Sequence, residues 1–147
     1  MNNEPSSVVT VEQFVTALIQ NSPNTPSTDN YLQYGYDSGW LEDMDITGKD
    51  EALLRKNAAR IIHEFMRIEL QESDLADVSC ASKLRDLYDC RVCAKHIMQL
   101  YSKGIMEGFY ASDTLYLFGL KEAITTVEVS AIISRVFYTN QRFSNQN

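Results

Sequence analysis

Cys90, Cys93 and His96 recur at intervals of three, and with Cys80 they offer the sulfur and imidazole donors that a zinc site uses. Three helical positions spread over six residues drift around the axis, so closing a tetrahedron on them needs distortion. Small buried thiols on an apolar helix face are the expected reading. An odd set of three cysteines is too small for a disulfide framework and fits a reduced or largely buried state. Asp43-x-Asp45-x-Thr47-Gly48 opens like a calcium loop, with hard oxygens at alternating positions and a glycine for the bend. Its twelfth position is Leu54, where a bidentate glutamate is needed, so no metal and no cofactor are expected. His63 and His96 fall on different expected helices, and the sequence contains no nucleophile elbow, phosphate loop or metalloprotease motif, so no enzymatic activity is expected. Trp40 is large and amphipathic enough to stack on a sugar ring. Following a helix-stopping glycine, with apolar neighbours, it also suits a core plug, which is the favoured reading.

The elements that must position these residues repeat along the chain. Val9-Thr10-Val11-Glu12-Gln13-Phe14 runs on to Ala17-Leu18, Leu53-Leu54-Arg55-Lys56-Asn57-Ala58 to Ile61-Ile62, and Ile124-Thr125-Thr126-Val127-Glu128-Val129 to Ile132-Ile133. Each reads as the start and apolar stripe of one helix. Thr10 with Gln13, and Thr125 with Glu128, fit the capping box, in which a hydroxyl satisfies an orphan helix amide and the residue three on reaches back to the cap. The middle copy lacks the box, although Asp50 and Glu51 put negative charge where a helix N-terminus favours it.

A second helix is expected over roughly residues 29–38, capped by Thr28 or Asp29 and ended by Gly39, with Trp40-Leu41 folding back on the core. In parallel, a helix from about Asp89 to Lys103 stops at Gly104, and Ile105-Met106 follow. The unit is thus helix, glycine stop, apolar pair, loop, long helix. It gives a partial first repeat (8–21), a second (28–70), a third (84–138) and a polar tail (139–147) expected to fray from Asn140. Between the second and third copies, Gln71 to Leu87 is an acidic insertion crossing the surface with one short helix. Gly108 to Leu120 is a long connection with a brief extended piece, and its Tyr110, Tyr116 and Phe118 are expected to be exposed.

A chain of 147 residues suits one domain, and at that size folding hides about 68–70% of the unfolded surface. The hydrophobic fraction of 44% and charged fraction of 22% are those of a globular protein. A formal charge of -7 and a pI of 4.7, with no dense run of Lys and Arg, make nucleic acid an unfavourable partner. No stretch approaches the length of a membrane span, and Met1 to Ser7 has neither a basic region nor a hydrophobic segment of an export signal. Composition leaves the compartment open.

The third copy resembles an S-layer homology (SLH) module. That family's pattern is an aspartate near the start, an alanine in the first helix, a Gly-Ile/Val-x-Gly turn, and an Ile-Thr-Arg-Ala-Glu start to the second helix. The matching residues here are Leu84-Arg85-Asp86-Leu87, Ala94, Ile97, Gly104-Ile105-Met106-Glu107-Gly108 and Ile124-Thr125-Thr126-Val127-Glu128. The second copy matches through Gly39-Trp40-Leu41 and Leu53-Leu54-Arg55-Lys56-Asn57-Ala58-Ala59, and the first through Val9-Thr10-Val11-Glu12-Gln13-Phe14.

The resemblance implies an all-α, pseudo-threefold fold around a central three-helix bundle. It also implies attachment to a bacterial secondary cell-wall polysaccharide or a neighbouring surface protein, and hence an extracellular location at the cell wall. Family binding depends on the arginine of the start motif, whose guanidinium fork suits acidic sugars. Only Arg55 stands at that position, with Val11 and Thr126 in the other copies. Its bland alternative is a solvated or salt-bridged arginine near Asp50 and Glu51. The aromatic-rich turn survives as Phe109-Tyr110 with Asp113. Arg55, Trp40 and Asp113 are therefore the expected ligand-binding residues, at one remaining groove. The rival expectation is a helical protein-interaction module that keeps the fold and has lost the glycan site.

Overall fold

A computed structural model describes residues 7–144, so the N-terminal residues 1–6 and the last three residues of the expected frayed tail lie outside the described residues. The chain is mainly helical. Its helices are α1 (Val11–Gln20), α2 (Tyr31–Ser38), α3 (Asp43–Thr47), α4 (Arg55–Ile68), α5 (Arg91–Ser102) and α6 (Thr126–Phe137), with one hairpin of β1 (Phe109–Ser112) and β2 (Leu115–Leu117). Among the described residues, no helix is long and apolar enough to cross a membrane.

Helix starts follow local chemistry. Both capping boxes form: Thr10 Oγ1 accepts from Gln13 N–H at 3.1 Å while Gln13 Oε1 accepts from Thr10 N–H at 2.9 Å, and Thr125 and Glu128 repeat the exchange at α6. Leu54, at the start of α4, has no side chain able to cap. α2 starts two residues later than expected because Asn30, not Thr28 or Asp29, accepts from Gln33 N–H. α5 likewise starts at Arg91, since Cys90 is extended. Gly39 and Gly104 both take the left-handed conformation where their helices end. At Gly104 a Cβ would lie 1.9 Å from the Phe143 carbonyl oxygen, so the position needs glycine for space as well as for φ.

The three segments that lead into α1, α4 and α6 bond to one another in a closed cycle. Val9 N–H donates to Ile124 O at 3.2 Å, Ile124 N–H to Leu53 O at 2.8 Å, and Leu53 N–H to Val9 O at 2.8 Å. A second set stands two residues on: Val11 N–H donates to Glu51 O, Arg55 N–H to Glu122 O, and Thr126 N–H to Ser7 O. The side chains at the first cycle are buried, and the stripes of α1, α4 and α6 continue from them into one apolar cluster. Trp40 and Leu41 fold into that cluster as expected. Around it, α4 packs most extensively against α5.

Two surface expectations are corrected. The tail is docked through Arg142 and Phe143: Arg142 grips Glu72 through two hydrogen bonds of 2.8 and 2.9 Å, and Phe143 N–H donates to Gly104 O. The insertion carries its expected short helix as a 3-10 helix, Ser79–Lys83, and a second 3-10 turn, Leu87–Asp89, begins at its last residue. The long connection forms the expected extended piece, but Phe118 is fully buried, Tyr116 is half-buried, and only Tyr110 of the three is exposed. Phe118 is drawn inward because the Asp86 carboxylate accepts from both Phe118 N–H and Gly119 N–H at 2.8 Å.

Candidate functional site

Arg55 opens α4, and its side chain crosses to the segments around α6. Nε donates to Phe118 O at 2.8 Å, Nη1 pairs with Glu128, Nη2 donates to Glu107 O, and the guanidinium lies 4.7 Å from the centre of the Phe118 ring. Glu128 thus serves two starts, closing the capping box of α6 with one oxygen and holding Arg55 with the other. Burial pulls the Arg55 guanidinium below its ordinary pKa, against the opposing pull of Glu128 and Glu107. This arginine is neither solvated nor paired to Asp50 or Glu51. It clamps the start of α4 to the start of α6. A groove of about 280 Å³ runs beside it, walled by Met106, Phe109, Val127 and Ala131. The other guanidinium in this groove, that of Arg135, pairs with Glu107 at 3.2 Å.

The structure does not gather Arg55, Trp40 and Asp113 into one site. Trp40 is 1% exposed, meets Phe65 edge-on at 5.0 Å between ring centres, and donates its indole N–H to Glu69 at 3.0 Å. A ring so enclosed has no free face for a sugar. Asp113 is exposed at the turn between β1 and β2 and does not line the Arg55 groove. Within the abandoned calcium-like loop, Asp45 is buried and bound by the Arg60 fork at 2.8 Å through both oxygens.

A second constellation went unread in the sequence. His63 on α4 and His96 on α5 are both buried, and their Nδ1 atoms lie 2.8 Å apart. His63 Nε2 lies 2.7 Å from Asp74, on the segment after α4. A carboxylate accepts, so Nε2 of His63 carries a proton toward Asp74, and when both rings are neutral Nδ1 of His63 is a lone pair that accepts from His96 Nδ1–H. Burial first, and then the facing His63, push the His96 pKa down to about 4. Glu64, next to His63, completes the group with Oε2 at 3.8 Å from His63 Nδ1 and 3.9 Å from His96 Nδ1, while its Oε1 accepts from Arg67. Burial raises the Glu64 pKa, but the Arg67 hydrogen bond and charge outweigh it and leave the carboxyl below its ordinary value.

The sequence carried one signal for this meeting. His63 lies among Ile62, Phe65 and Met66, and His96 among Ile97 and Leu100, a lone imidazole on each of two apolar stripes. Two such stripes packed together satisfy both polar rings at once.

The cysteines are also corrected. Cys90 and Cys93 form a disulfide across the first turn of α5, and both are half-buried, leaving Cys80 as the free thiol. Cys90 caps the helix and Cys93 is its third residue, so the first turn itself brings the sulfurs together. No family model, curated protein or solved structure matches this chain.

Proposed function

We propose that this protein is a noncatalytic attachment module of the SLH type, holding a bacterial cell-wall polysaccharide or a neighbouring surface protein in the groove between its second and third repeats. The cycle of hydrogen bonds through Val9, Leu53 and Ile124 carries this reading, because it joins equivalent positions of the three repeats. A pseudo-threefold arrangement around α1, α4 and α6 accounts for that equivalence, and repeats that cannot bury their own faces must associate in some such way. The groove beside Arg55 occupies the seam between two of these helix starts.

Sedimentation with bacterial cell-wall sacculi, carrying or stripped of their secondary polymers, tests the glycan. Polymer-dependent retention that Ala131→Trp abolishes by filling the groove is the expected result. Equal retention on stripped sacculi, or none on either, removes the polysaccharide from the proposal.

The charge of the groove favours the rival reading, a protein-interaction module on the same fold. Arg55 and Arg135 already face Glu128 and Glu107, which leaves little net attraction for an acidic sugar. Phe109 and Val127 at the groove, with Tyr110 and Leu115 on the hairpin, present exposed apolar surface suited to a polypeptide. A mass that rises with protein concentration, and falls back in the Ala131→Trp variant, supports this reading in the form of self-association.

A further inference from the structure

We propose that His63, His96 and Glu64 form a binding site for a divalent transition ion of the zinc class. The three ligand atoms, His63 Nδ1, His96 Nδ1 and Glu64 Oε2, make a triangle with edges of 2.8, 3.8 and 3.9 Å. The point equidistant from those corners lies about 2.1 Å from each, and zinc binds imidazole nitrogen and carboxylate oxygen at that distance. In a regular tetrahedron of such bonds the ligand atoms stand about 3.3 Å apart, so the rings need only part slightly as the carboxylate closes in.

The donors converge on one small volume without being built around an ion, and their chemistry is borderline, as zinc prefers. Two neutral imidazoles with one carboxylate leave a fourth position open, and all three residues line a cavity of about 340 Å³ whose wall also holds the exposed Lys95 and Asp74. The ion would replace the proton now held between the rings, with His96 moving its own proton to Nε2.

Surrounding groups strengthen the case. Asp74 holds His63 at Nε2, which favours the tautomer that leaves Nδ1 as the donor atom for an ion; ligating histidines are held in this way by a carboxylate partner. The arginines near the cavity are already engaged, Arg60 by Asp45 and Arg67 by Glu64 Oε1. Lys95 is the remaining cation on the cavity wall and lies at its exposed side. The site lies apart from the Arg55 groove and does not depend on the attachment reading.

Chelated full-length protein titrated with Zn²⁺ is the test, read by calorimetry and by elemental analysis after desalting. One ion per chain is expected, with affinity reduced at least tenfold in Glu64→Gln and His96→Gln. Asp74→Asn, which does not touch the ion, should weaken binding about tenfold or more. Circular dichroism confirms that each variant is folded. Co²⁺ gives a readout on the unaltered chain, where intense visible bands of a tetrahedral complex are expected. Zinc retained equally by the wild type and His96→Gln, sub-stoichiometric zinc in the wild type, or a Co²⁺ spectrum unchanged in Glu64→Gln would each overturn the site.

Discussion

Arg55 shows how the same guanidinium chemistry serves binding or architecture depending on what reaches it first. A free fork recognises an external carboxylate, whereas this one is filled from within by Glu128 and by the carbonyls of Phe118 and Glu107. Its side chain is 8% exposed and that of Glu128 34%, so deleting the arginine strands a partly buried carboxylate. Arg55→Ala should therefore cost about 3 kcal/mol in urea unfolding, the lower end for a broken buried pair. Glu128→Gln keeps a capping-box side chain, as Gln13 does at α1, and should cost less. A stable Arg55→Ala protein would return Arg55 to the list of groups free to bind a ligand.

At the scale of the element, α5 depends on an unusual start. Its cap residue, Cys90, makes no side-chain hydrogen bond to the first turn, and the disulfide to Cys93 constrains that turn covalently instead. Because the closed loop spans only four residues, chain entropy limits the stabilisation to about 2 kcal/mol. Urea unfolding of Cys80→Ser with and without reductant, in the presence of chelator, should show a loss no larger than this. A much greater loss would mean that the disulfide holds the packing of α5 on α4, beyond its own first turn.

The whole molecule is closed at the end of α5 by its own tail. Glu72 receives Arg142 through both oxygens and Lys103 at 2.9 Å, linking the insertion, α5 and the tail. Burial works against ionisation of Glu72, but the Arg142 and Lys103 hydrogen bonds outweigh it and hold its pKa below the ordinary 4.5. A carboxylate lowered on folding stabilises fully above its unfolded pKa and loses that contribution as pH falls through the folded value. The stability gap between wild type and Glu72→Gln should accordingly be widest near neutrality and shrink through the acid range below 4.5. A gap that stays constant with pH would show that Glu72 contributes shape and not charge. The same closure explains why a polar tail expected to fray is docked as far as Phe143: its anchors, Glu72 and Gly104, are remote in sequence.

Local chemistry was legible in the residues themselves. The capping pairs at Thr10 and Thr125, the left-handed stops at Gly39 and Gly104, and the stripes of α1, α4 and α6 each rest on interactions reaching three or four positions along the chain, which a sequence displays directly. The tertiary structure alone decided which partner each polar side chain found. Arg55 meets Glu128 across 73 residues, and His63 meets His96 across 33, only because particular helix faces turn toward each other. Such pairings depend on the relative rotation and register of packed elements, and those are set by the filling of the whole apolar core rather than by any one segment.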